Sequence, residues 1–137
     1  MRSLPIVWKR LVSPEGQTCD RCAATQREVQ QAVATLEESL RPLGIQPQLE
    51  ITEIDEASFR TNPAESNRIW IAGKPMEEWL QGRVGSSRCC SVCGESECRT
   101  VEVGGTTFEA IPERLILKAA LIASSELLDE MAGPNSA

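Results

Sequence analysis

The sequence predicts an α/β fold: a strand–helix–strand core, a C-terminal β-hairpin followed by a helix, and a cysteine-rich loop inserted between the two halves. Three observations carry that expectation. Between residues 4 and 51 the apolar residues recur first as a β-rich run, then at helical steps of three and four, then at steps of two. Gly104-Gly105 separates two β-rich segments, a strong hairpin signal. The six cysteines fall into two tight clusters instead of being spread along the chain.

The first strand is expected over residues 4–12, where Leu4, Ile6, Val7, Trp8, Leu11 and Val12 supply β-branched and aromatic side chains. Ser13-Pro14-Glu15-Gly16 is turn chemistry. After Cys19, the row Val29, Ala32, Val33, Leu36, Leu40 and Leu43 marks one face of a helix, with Arg41 in its last turn and Gly44 as its stop. From Ile45 the chain alternates apolar and polar residues and reads as a second strand. A strand–helix–strand unit of this length implies parallel strands joined by a right-handed crossover.

Residues 55–68 read as a polar loop, and residues 68–72 as a short strand carrying Ile69, Trp70 and Ile71. Pro75 is placed to open a short helix. Residues 81–99 have no periodicity and hold four of the six cysteines, so they read as an insertion. The last helix is expected from Pro112 to about Met131, burying Leu115, Ala119, Ile122 and Ala123. Residues 1–132 are expected to form one domain, with residues 133–137 a frayed tail. Trp8 and Trp70 read as core residues on neighbouring strands, and Glu77 and Glu78 as a solvated helix face.

A chain of 137 residues is an ordinary size for a domain with a useful core. Its net charge of −6 and scattered basic residues argue against a nucleic-acid partner. No stretch approaches the length of a membrane span, and the N-terminus has no apolar leader core, so a cytoplasmic location is expected. The chain has no histidine, which excludes a Ser-His-Asp triad, a Cys-His dyad and histidine-bound metal. In the cytoplasm, clustered cysteines point to redox or metal work.

Cys19-Asp20-Arg21-Cys22 opens the first helix. A thiol there faces unpaired backbone N–H groups and the positive end of the helix dipole, both of which favour the thiolate. Cys19 is the natural attacking thiol and Cys22, one turn on, the resolving one. Half of a metal site, or an inert buried pair, is the alternative.

The segments TCDRC, Glu65-Ser66-Asn67-Arg68-Ile69-Trp70-Ile71-Ala72-Gly73-Lys74-Pro75-Met76-Glu77, CCSVCGESECRT and Phe108-Glu109-Ala110-Ile111-Pro112 resemble an uncharacterised thioredoxin-like family of small prokaryotic proteins, a domain of unknown function. The resemblance covers nearly the whole chain. It implies a thioredoxin-like sheet with helices on both faces and supplies no reaction. Thioredoxins carry a cis-proline just before the strand facing the cysteine pair. The corresponding position here is Asn67, for which a trans peptide is expected. That departure weakens the case for a general disulfide reductase and leaves room for thiolate metal binding.

Cys89, Cys90, Cys93 and Cys98 lie within ten residues around Gly94. Four thiolates suit zinc or a softer thiophilic ion such as cuprous copper, mercuric ion or trivalent arsenic. The spacing matches no common ferredoxin pattern. Arg88 and Arg99 flank the cluster and would offset its negative charge. Loop disulfides or a thiol relay are the alternative, and adjacent Cys89 and Cys90 are hard to point at one ion. The leading expectation is a thiol–disulfide oxidoreductase using Cys19 and Cys22 on a protein or small-molecule disulfide or thiol partner. The rival is a non-catalytic metal-thiolate protein using the Cys89–Cys98 cluster.

Overall fold

Ten residues, Arg2–Leu11, form the central strand β1, in which Leu4, Ile6 and Trp8 are fully buried while Val7 and Lys9 on the other face are half-buried. Each such burial contributes about 1.5–3 kcal/mol. The structure is a computed structural model and describes residues 1–11, 20–61, 67–87 and 98–132. Its architecture is mixed α/β.

Helix α1, Asp20–Leu40, buries Val29, Ala32, Val33, Leu36 and Leu40 of the expected apolar row together with Cys22, whereas Leu43, beyond the helix end, is 42% exposed, contrary to expectation. A 3₁₀ turn, Arg41–Leu43, ends it at Gly44, whose φ of +74° is the left-handed stop that glycine adopts without strain. Strand β2, Ile45–Ile54, then pairs parallel with β1 from Arg2↔Ile45 to Leu11↔Ile54. The strand–helix–strand unit is as the sequence predicts.

Residues 55–68 differ from the expected loop. They contain a short helix α2, Glu56–Thr61. The sequence signal for it was Asp55, whose Oδ1 accepts the Ser58 backbone N–H at 2.7 Å and caps the helix. Strand β3, Arg68–Ile71, runs antiparallel to β1. Ala72 and Gly73, with φ of +53° and +80°, turn the chain into β4, Lys74–Pro75, which pairs back onto β3. The sheet order is β2-β1-β3-β4. Helix α3, Met76–Trp79, begins just after Pro75 instead of at it. Its Trp79 indole N–H donates to the Ile71 carbonyl at 2.8 Å.

Arg83–Ser87 is a strand, β5, in residues expected to be part of an aperiodic loop. It is polar and exposed, so no hydrophobic pattern announced it. What makes it a strand is its antiparallel ladder with β6, Cys98–Val103. Gly104 and Gly105, both at positive φ, connect β6 to β7, Thr106–Phe108, as the hairpin signal required. These three strands form a second sheet, β5-β6-β7. Helix α4, Glu113–Ala132, packs beside α1. It buries Leu115, Ile116, Ala119, Ala120 and Ala123 but leaves Ile122 at 36% exposure, contrary to expectation. The buried row runs Ile116, Ala119, Ala120, Ala123, and Ile122 lies off it by helical rotation.

Two further expectations are corrected. Trp8 and Trp70 are on neighbouring strands but on opposite faces, because the register pairs Trp8 with Ile69 and Trp70 with Val7. Trp70 is half-buried, with the Lys9 ammonium and the Arg68 guanidinium 4.6 and 4.4 Å from its ring centre. Glu77 is buried, not solvated.

Candidate functional site

Cys22 is the third residue of α1 and has no exposed surface. Burial follows from the helix period: Cys22 stands in the row that continues through Val29, Val33, Leu36 and Leu40. Cys19, the residue before the helix, lies outside the described residues. So do Cys89, Cys90, Cys93 and Arg88 of the second cluster.

Thr25, one turn beyond Cys22, is also fully buried. Its Oγ1 accepts the backbone N–H of Ile111 at 3.0 Å. Glu28, one turn further, accepts the N–H of Glu113 at 3.2 Å and so caps the start of α4. The first turns of α1 are thereby fastened to the segment that joins β7 to α4. A cleft of about 290 Å³ lies along this seam, lined by Ala24, Arg27, Phe108, Ile111 and Pro112 among others.

Asn67 closes the neighbouring side. It is 3% exposed and precedes β3 with φ of +56°. Its Oδ1 accepts the Trp8 indole N–H at 3.0 Å, and its Nδ2 donates to the Glu109 carbonyl at 3.4 Å. One side chain therefore ties β1, β3 and the exit of the small sheet together. No peptide bond among the described residues is cis. Arg10 adds a polar link at the same end of β1, donating to Gln26 Oε1 at 3.2 Å and pairing with Glu53 at 2.6 Å.

Cys98 opens β6 and is paired in register with Ser87, the last residue of β5. The two ends of the segment 88–97 are thus held at one end of a ladder, about 5 Å apart between paired Cα atoms. Arg99 is the second residue of β6. Its guanidinium donates to Oε1 of Glu77, with side-chain exposures of 3% and 9%. Among the described residues, no three cysteine or carboxylate side chains are grouped to hold an ion.

Sequence reasoning missed Thr25, Glu28 and the Glu77–Arg99 pair. Thr25 had a signal: it is the polar member of an otherwise apolar helical row. Glu77 and Arg99, 22 residues apart, had none, because only the packing of α3 against β6 brings them together.

All of the sites above fall within one matched span. The model of a domain of unknown function (DUF2703) matches residues 4–120. The chain belongs to that family. The DUF2703 match takes in both cysteine clusters, the whole of β1 to β7 apart from Arg2 and Ser3, and the first turns of α4. The chain is also similar to an uncharacterised protein of Archaeoglobus fulgidus, 42% identical over 113 residues that make up 82% of this chain and 82% of the relative. No solved structure matches it. No helix among the described residues is long and apolar enough to cross a membrane.

Proposed function

We propose that this DUF2703 protein is a thiol–disulfide oxidoreductase of thioredoxin-like architecture, with Cys19 as the exchanging thiol and Cys22 as the resolving one. The observation that carries the reading is the complete burial of Cys22 in the first turn of a 21-residue helix that follows the central strand. The order β2-β1-β3-β4, with β1 and β2 parallel and β3 antiparallel, is the observation that supports the architecture in this reading. In this reading Asn67, just before β3, stands where ordinary thioredoxins carry their cis-proline, a departure that counts against a general disulfide reductase.

In this reading the Cys19 thiolate attacks one sulfur of a substrate disulfide, forming a mixed disulfide and expelling a substrate thiolate, which takes up a proton. Cys22 loses its proton and attacks the Cys19 sulfur. The Cys19–Cys22 bond forms and the second substrate thiol leaves. The substrate is reduced by two electrons and the pair is oxidised; run backwards, the same steps oxidise a dithiol. The partner is a protein or small-molecule disulfide or thiol, and the cleft beside Phe108 and Ile111 offers it an apolar seat. The proposed setting is the cytoplasm, where such a pair is kept poised between states.

Differential alkylation tests the reading. Cys19 is expected to label first and with the lower pH midpoint, while Cys22 labels only on unfolding. Equal, slow labelling of both in the folded protein would remove the redox role.

A second reading has its own observation. The Ser87↔Cys98 pairing anchors both ends of the segment that holds Cys89, Cys90 and Cys93. A thiolate site for zinc or another thiophilic metal built from those residues and Cys98 would be cross-braced by the ladder.

A further inference from the structure

We infer that the outward face of α4 is a self-association surface, and that its occupant is the same helix of a second copy of this chain, packed antiparallel. The inference stands apart from the cysteine chemistry and goes beyond the redox reading. Exposure gives the first argument. Leu121 and Ile122, in the middle of the helix, are 50% and 36% exposed, and Leu117 and Leu128 on the flank are half-buried. Arg114, Lys118, Ser125 and Asp129 are exposed as well, and steps of three and four put them on the same side as Leu121. The other side of the helix, which carries Ile116, Ala119, Ala120 and Ala123, is the one buried in the core.

Charge order gives the second argument and chooses the occupant. A lone helix favours acids in its first turn and bases in its last. On the outward face of α4 the order is reversed: Arg114 and Lys118 stand in the first half, Asp129 stands near the end, and the last turn holds no base. The acid of the first turn, Glu113, accepts the Thr35 hydroxyl and so belongs to the α1 side. Arg114 and Lys118 are also like charges at i and i+4, which repel along one helix. Among the described residues, neither of them nor Asp129 takes part in an ion pair; the Arg114 guanidinium lies 5.3 Å from the centre of the Phe108 ring. An antiparallel copy sets the basic half of one helix on the acidic half of the other and opposes the two helix dipoles.

A two-fold axis midway between Leu121 and Ile122 makes the match residue by residue. It sets Leu121 against Ile122 of the second copy, Lys118 against Ser125 and Arg114 against Asp129, each twice, as an isologous contact requires. Ser125 is small, so the helices can close in around the apolar centre while the Lys118 ammonium reaches past it to Glu126. A parallel copy would instead set Arg114 on Arg114 and Asp129 on Asp129, which repulsion disfavours. From Arg114 to Asp129 the contact runs about 22 Å along the helix. A contact of one helix pair falls in the small, transient class of interfaces, so a Kd of roughly 10–100 µM is expected.

Sedimentation equilibrium of the full chain tests the surface, with the protein kept reduced so that no disulfide links two copies. Wild type is expected to pass from monomer to dimer as its concentration rises. Leu121→Asp places a carboxylate against the apolar centre and should weaken association by about tenfold or more. Arg114→Asp and Asp129→Arg should each be monomeric alone, because like charges then face each other across the axis. Mixed one to one, the two variants should associate about as tightly as wild type, since every aspartate then meets an arginine. Should either single variant lose its helical circular dichroism, the double change Arg114→Asp with Asp129→Arg decides, because it restores both pairs and is expected to dimerise like wild type. A wild-type chain still monomeric at about 0.5 mM overturns the inference. So does a dimer that Leu121→Asp leaves intact, a mixture no tighter than its components, or a double variant that stays monomeric.

Discussion

Glu77 and Arg99 meet in the interior, the α3 carboxylate accepting from the β6 guanidinium where neither side chain is as much as a tenth exposed. The pair joins the first sheet's hairpin helix to the second sheet. Taking either partner away leaves a charge in a place where water cannot reach it. Glu77→Leu or Arg99→Met alone is therefore expected to cost about 3–5 kcal/mol, whereas the double change Glu77→Leu with Arg99→Met costs much less or nothing. Urea denaturation of the four proteins as a double-mutant cycle measures this. Additive losses in the double variant would show that the two groups do not depend on each other.

Asn67 offers a sharper case, because backbone and side chain can be separated. Its side chain satisfies the Trp8 indole N–H, and its φ of +56° is a conformation that alanine resists and glycine accepts. Asn67→Gly and Asn67→Ala both orphan the buried indole, at about 1–3 kcal/mol. Asn67→Ala pays about 1–2 kcal/mol more for the left-handed backbone. Thermal melts should rank wild type above glycine and glycine above alanine. A glycine variant as stable as wild type would mean that the indole bond contributes nothing.

How much of this was legible beforehand depends on which interactions are local. The parallel β1–β2 pair with its α1 crossover was readable because Val29, Val33, Leu36 and Leu40 announce a period and Gly44 a stop. The Gly104-Gly105 hairpin was readable because the turn demands positive φ at both positions. Strand β5 was not, since Arg83-Val84-Gly85-Ser86-Ser87 has no buried face and is a strand only through pairing with β6. The opposite faces of Trp8 and Trp70 depended on a one-residue register that no single strand specifies. At the site, the first-turn position of Cys22 was legible from its spacing, while the seam from Thr25 to Ile111 spans 86 residues and needed the fold.

Gly82 and Gly73 should respond differently to alanine. A Cβ on Gly82 would stand 2.7 Å from the Glu102 carbonyl oxygen, a backbone atom that cannot swing aside. A Cβ on Gly73 meets nothing within 4 Å and carries only the strain of its φ of +80°. Gly82→Ala is expected to cost about 1–3 kcal/mol and to weaken amide protection at the Arg83 end of the small sheet. Gly73→Ala costs about 1–2 kcal/mol and leaves that sheet untouched. Hydrogen exchange at Glu102 and Val103 discriminates the two; unchanged protection in Gly82→Ala would mean that β5 shifts without loss.

Asp55 gives a pH dependence with a definite sign. The Ser58 N–H donated to its carboxylate holds its pKa below the usual carboxylate range. A folded-state pKa lower than the unfolded one means that the cap's contribution is present above the unfolded value and is lost as pH falls through the folded value. The α2 cap should therefore release in acid, seen as a downfield-to-random shift of the Ser58 amide in NMR titration. Asp55→Asn keeps an accepting oxygen at every pH, so its Ser58 amide should stay put across the same range. Parallel titration of that amide in both proteins would place its cause elsewhere.

Metal loading should be felt first at the far end of the β5–β6 ladder. Ser87↔Cys98 is its last pair, followed inward by Ser86↔Arg99 and Gly85↔Thr100, and the cysteine segment begins where it stops. If the loop thiolates hold an ion, that ion closes the hairpin from beyond its last rung and restrains a segment with little apolar content of its own. Protein purified without oxygen is then expected to carry zinc or another thiophilic metal, and Cys93→Ser to lose most of it. Amides of Gly85 to Ser87 and of Cys98 to Thr100 should exchange faster in Cys93→Ser, while those of β1 and β3 keep their protection. The buried Glu77–Arg99 pair sets the limit of the fraying, because it holds the strand from inside at the second rung. Anaerobic protein free of metal, with identical exchange at these amides in wild type and Cys93→Ser, would dismiss the metal reading and leave the loop thiols to exchange chemistry alone.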